Sequence, residues 1–80
     1  MPVHLKSAEG ITRDVSATGV FFWTTARSCA LGELISFSVE FNRLGGRMMF
    51  KCQGDVVRTE PHDATVGVAV KINESAIELA

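Results

Sequence analysis

From Leu34 to Phe41 apolar and polar residues alternate without a break. Ile35, Phe37, Val39 and Phe41 fall on one side, and Ser36, Ser38 and Glu40 on the other. A period of two belongs to a β-strand with one buried face. No segment of the chain carries a long helical period, so strands must build the fold. Val66-Gly67-Val68-Ala69-Val70-Lys71-Ile72 repeats the pattern, with Val66, Val68, Val70 and Ile72 on one face. Its opposite face presents Gly67 and Ala69, small enough for a neighbour to pack closely. A third run spans Arg47 to Thr59, with Met48, Phe50 and Cys52 sharing a face. Gly54 interrupts it and suggests a bulge or bend.

Turn chemistry divides these runs. Asn42-Arg43-Leu44-Gly45-Gly46 suits a tight antiparallel hairpin. Pro61 favours a turn within Glu60-Pro61-His62-Asp63. The segment Arg27 to Gly32 links an aromatic strand, near Val20 to Thr24, to the Leu34 strand. Two weaker strands are expected near Val3 to Ser7 and Ile11 to Asp14. The expected fold is all-β: a small antiparallel barrel of about six strands. At most one short C-terminal helix is allowed for, because Ser75 and Glu78 have capping-box spacing within Asn73–Ala80. Phe21, Phe22 and Trp23 point to both faces of their strand. One side fills the core, and the other needs a cover such as a helix or a partner chain; with so short a C-terminus, a homodimer or higher oligomer is expected.

The 80 residues suit a single domain over 1–80 with a small core. A formal net charge of −1 argues against a nucleic-acid binder, which needs a cationic excess. It also lacks the polybasic signal for an anionic membrane surface. Met1 to Lys6 has no apolar signal region, and the uncharged run from Val15 to Ala26 is too short to span a bilayer. A cytoplasmic protein without membrane insertion is expected. Cys29 and Cys52 could arithmetically form one disulfide, but the preferred reading is two reduced thiols, with Cys52 packed as a small hydrophobe in its strand. No Cys-x-x-Cys occurs, and His4 and His62 are too few to complete a zinc site. Phosphate loops before a helix and nucleophile-elbow patterns are also missing, so an enzyme is not expected. His62 and Asp63 are adjacent only in sequence and are not read as a catalytic dyad. No cofactor is expected.

Arg13-Asp14-Val15-Ser16-Ala17-Thr18-Gly19-Val20 carries the most information. It leads into the aromatic strand and matches [DN]-x-S-x-x-G. With that loop, the aromatic strand, Leu31-Gly32-Glu33 before the alternating strand, and the closing Val66-Gly67-Val68-Ala69-Val70, the chain from Val3 to Ile72 resembles a PilZ domain, the bacterial receptor module for cyclic di-GMP. The resemblance implies a signalling module of motility or type IV pilus type. It implies ligand contacts at Asp14, Ser16 and Gly19, with Arg13 beside them. In that picture Asp14 accepts from a guanine edge, Ser16 bonds a base or phosphate, and Gly19 takes a positive φ that lets the ligand approach.

One half of the family's pattern is absent. An Arg-x-x-x-Arg stretch usually stands just before the first strand, and no arginine here precedes Arg13. Arg43 and Arg47 have the spacing but flank the Gly45-Gly46 turn, where they read as solvated hairpin charges. Guanidinium groups fork onto phosphate oxygens and guanine O6/N7, and they stack on guanine faces. Two lost charge-assisted contacts cost about 3–6 kcal/mol, or roughly two to four decades of affinity. Binding in the millimolar range is therefore expected unless Arg13 or Lys6 compensates. Asp14 and Ser16 also have a plain structural reading as residues that bond their own turn. The second functional reading is a PilZ-like protein-interaction module that does not bind the dinucleotide and docks a partner through an aromatic or glycine-rich face.

Overall fold

Six strands carry the chain: β1 (Pro2–His4), β2 (Glu9–Val15), β3 (Gly19–Thr24), β4 (Leu34–Arg43), β5 (Gly46–His62) and β6 (Thr65–Leu79). This computed structural model describes residues 1–25 and 29–79. The strands close into an antiparallel barrel in the order β1-β2-β3-β6-β5-β4. The alternation of the sequence becomes the wall of that barrel. Phe37 and Val39 of β4 face inward with Val68 and Val70 of β6, Cys52 and Val56 of β5, Val3 of β1, and Val20 and Phe22 of β3. Trp23, Phe41 and Phe50 are only half-buried.

Two expectations change, and the allowance for a short C-terminal helix goes unused. Residues 73–79 are strand rather than helix, because β6 stays paired with β5 as far as Met48↔Leu79. One helical turn offers few hydrogen bonds, whereas a paired strand satisfies the same backbone groups along a preformed neighbour. Pro61 does not make the second turn. It lies within β5 opposite Val66, and the chain reverses beyond His62, where Asp63 takes a positive φ of 54°. The irregularity expected at Gly54 is found on the partner strand: Gln53 pairs with Glu74 and Gly54 with Ile72, leaving Asn73 as the extra residue. Of the Arg27–Gly32 connection, Arg27 and Ser28 lie outside the described residues, as does Ala80 of the expected helix.

The outward side of β3 finds its cover within the chain. Gly67 stands opposite Trp23, and a Cβ there would come within 2.5 Å of Phe21 Cζ and 2.9 Å of Trp23 Cζ3. The missing side chain is what lets both rings approach β6 so closely. Phe21 and Trp23 meet edge to face at 5.3 Å, and His62 lies 5.9 Å from the indole. The three aromatics therefore give no reason by themselves to expect a second chain.

Both cysteines are free thiols, with Cys52 buried in β5 and Cys29 partly exposed. Burial pushes the Cys52 thiol up to about 11 from an ordinary 9.0. Burial, and then the nearby Glu33 carboxylate, also raises Cys29. A raised thiol stabilises the fold fully below the unfolded value near 9, and that contribution is lost as pH climbs through about 11. Iodoacetamide at pH 8 is expected to alkylate Cys29 well before Cys52. Peptide mass spectrometry showing equal rates would contradict the packing of Cys52.

Candidate functional site

The stretch singled out in the sequence folds as a turn between β2 and β3. Ser16 is its staple. Its Oγ accepts from the backbone N–H of Gly19 at 3.2 Å and of Thr18 at 3.4 Å, and donates to the Gly19 carbonyl at 3.2 Å. The backbone adds Ser16 N–H to the Gly19 carbonyl at 2.9 Å, and β6 holds the turn through Ile72 N–H to the Thr18 carbonyl at 2.9 Å. The structural reading of Ser16 is thus realised. Gly19 is not in the left-handed region, since the positive φ glycines are Gly32 and Gly45. Its need for glycine is proximity: a Cβ would sit 3.2 Å from the Val70 carbonyl oxygen.

Asp14 is different. Among the described residues its carboxylate bonds only the neighbouring side chain, accepting from Arg13 Nε at 2.8 Å, and it remains largely exposed. The register explains why two successive residues face outward. Thr12 pairs with Phe22 and Asp14 with Phe21, so Arg13 is an extra, bulged residue. A bulge breaks the alternation and re-aims side chains. Arg13 lies over the Phe21 ring with its Cζ 3.9 Å from the centroid.

A second bulge brings a residue that sequence reasoning missed. On β5, Val56 pairs with Val70 and Arg58 with Ala69, which leaves Val57 extra. Strict alternation would put Arg58 on the same face as the buried Val56. The bulge turns it outward instead, 5.7 Å from the same Phe21 centroid. Asp14, Phe21, Ala69 and Arg58 then form one row across β2, β3, β6 and β5. Arg58 Nη2 meets Glu60 Oε2 at 3.0 Å. A trough of about 440 Å³ follows this row and gathers Arg13, Asp14, Ser16 and Gly19 with Phe21 and Arg58.

The other cations named in the sequence lie elsewhere. Lys6 sits in the β1–β2 turn, at the opposite end of β2 from Ser16, and lines a separate depression with Cys29 and Ile35. Arg43 and Arg47 line the tip of the β4–β5 hairpin, where Arg47 reaches Glu40 at 3.7 Å. His62 Nδ1 and Asp63 Oδ2 do approach to 3.9 Å, but on the exposed β5–β6 turn, with Asp63 almost fully in solvent. Beside the loop, Val15, Ala17, Phe41, Phe50, Ile77 and Met1 line an apolar groove of about 370 Å³. Ser16 borders both the trough and the groove.

No helix among the described residues is long and apolar enough to cross a membrane. No curated protein and no solved structure matches the chain. The family model for the PilZ domain matches residues 3–79. That match runs from β1 to the end of β6, over a closed six-stranded barrel whose β2–β3 turn carries Asp14, Ser16 and Gly19, and on these grounds the chain belongs to the PilZ family.

Proposed function

We propose that this chain is a receptor or adaptor module that binds cyclic di-GMP in the trough beside the Asp14–Gly19 turn and signals through partner contacts. PilZ modules are generally associated with that dinucleotide. The observation that carries the reading is the division of labour within the motif. Ser16 and Gly19 are spent on building the turn, while the Asp14 carboxylate projects into the trough next to a guanidinium. An exposed carboxylate can accept both N–H groups of a guanine Watson–Crick edge. Arg13 can release Asp14 for that purpose, because an exposed ion pair contributes little.

Signalling follows from the shared position of Ser16. A ligand that orders the turn also changes one wall of the apolar groove, and a partner that prefers one form of the groove would read the change. The groove equally supports the second reading, a PilZ-like interaction module without ligand.

Calorimetric titration of cyclic di-GMP separates the two. Saturable heat is expected with the unaltered chain and none with Asp14→Ala, which should keep its melting temperature because the side chain is exposed. Absence of heat with the unaltered chain would leave the interaction module. Equal heat with Asp14→Ala would remove the turn as the site.

A further inference from the structure

The geometry points to Arg13 and Arg58 as a paired guanidinium clamp that supplies the phosphate and base-stacking contacts of this site from β2 and β5. The inference rests on the ligand reading above and gives that site cations from within the barrel. Both guanidinium groups address one aromatic platform, at 3.9 and 5.7 Å from the Phe21 centroid. Phe21 itself is buried, so the platform is fixed by the barrel. Two independent bulges shape this face: the one at Arg13 brings Asp14 out beside Arg13, and the one at Val57 turns Arg58 onto the same side. Between Phe21 and Arg58 the row passes through Ala69, whose small side chain leaves the trough floor open.

The dimensions fit a nucleotide. Asp14 and Arg58 are three strand spacings apart, or ~14 Å. That span takes one guanine at the Asp14 end and a phosphate at the Arg58 end. A base laid in the trough stacks on a guanidinium plane, and a phosphate takes the bidentate fork of the other. Each arginine now rests on a carboxylate, Arg13 on Asp14 at 2.8 Å and Arg58 on Glu60 at 3.0 Å. All four side chains are substantially exposed, at 48%, 71%, 58% and 42%. Pairs so exposed are weak and exchange readily for a doubly bonded phosphate.

With the clamp in place the site is not the half-site that the sequence suggests, and binding belongs in the micromolar class. Calorimetry of the full chain with cyclic di-GMP tests this. Arg58→Ala and Arg13→Ala should each weaken binding about ten- to hundredfold. Arg58→Lys should recover only part, since an ammonium cannot fork. Arg43→Ala, at the hairpin tip, is the charge control and should leave affinity unchanged. Thermal melts of the variants establish that each is folded. Binding lost with Asp14→Ala but untouched by Arg58→Ala would overturn the clamp and leave the ligand reading standing. Millimolar binding by the unaltered chain would do the same. No binding at all would overturn both, and equal losses in Arg58→Ala and Arg43→Ala would reduce the effect to net charge.

Discussion

Phe22→Ala is expected to destabilise the barrel by about 3–5 kcal/mol. The side chain is fully buried and lies 5.6 Å from the Phe37 ring, among Val3, Val39 and Val68. Such a truncation removes the transfer free energy of the ring and leaves a void that a closed barrel has little freedom to collapse. A domain of 80 residues has a total stability of roughly 4–12 kcal/mol. The substitution therefore consumes a large part of it, and the melting temperature should fall by about 15–30 °C. Phe22→Leu retains most of the volume and should cost about 1 kcal/mol. Chemical denaturation measures both. A loss below about 1 kcal/mol for Phe22→Ala would mean that this ring does not organise the core. Because Phe22 faces inward and Phe21 outward, a folded Phe22→Leu should bind ligand as the unaltered chain does.

That separation of faces also explains how far the sequence could be read. Where alternation is unbroken, as in Leu34–Phe41, side-chain direction follows from counting, and the core positions Phe37 and Val39 are found where counting puts them. The small residues of Val66–Ile72 likewise announced a close neighbour, which Gly67 provides for Phe21 and Trp23. Counting fails across a bulge. Arg58 stands two residues after buried Val56 and so reads as inward, until the extra Val57 reverses it. Asp14 and Arg13 both face out for the same reason. Bulges depend on the register with the strand alongside, β3 for the one in β2 and β6 for the one in β5, and that register is set along the whole pair rather than at the bulge. Nothing local in Val56-Val57-Arg58 reveals one. The C-terminal segment carried two local signals at once. Ser75 and Glu78 offered a local helix signal, but Ser75, Ile77 and Leu79 also alternate, and β5 had a long edge free to pair with them.

Gly54→Ala is expected to cost on the order of 3 kcal/mol or more, far beyond the usual effect of one added methyl. A Cβ at Gly54 would collide with the Lys71 carbonyl oxygen, and it would lie 2.8 Å from Val70 Cγ1 and 2.9 Å from the Lys71 carbonyl carbon. These are largely backbone atoms, and they cannot swing aside as a side-chain tip can. Lys71 is held from two directions, paired with Gly19 of β3 and with Asp55 of β5. Gly45→Ala is the informative comparison. Gly45 has a φ of 81° at a hairpin tip with nothing near the added carbon. Its alanine variant meets only the conformational penalty, about 1–2 kcal/mol. Equal costs for the two in urea denaturation would show that close approach at Gly54 is not what limits the fold. The preceding carbonyl, that of Val70, faces Gly19 instead, whose own Cβ would stand 3.2 Å from its oxygen. The same stretch of β6 thus supports the barrel seam at Gly54 and the end of the ligand turn at Gly19. A shift of Lys71 away from an alanine at Gly54 drives it toward Gly19, its partner on β3. Whatever fraction of Gly54→Ala remains folded should therefore bind cyclic di-GMP more weakly, whereas Gly45→Ala should bind it unchanged.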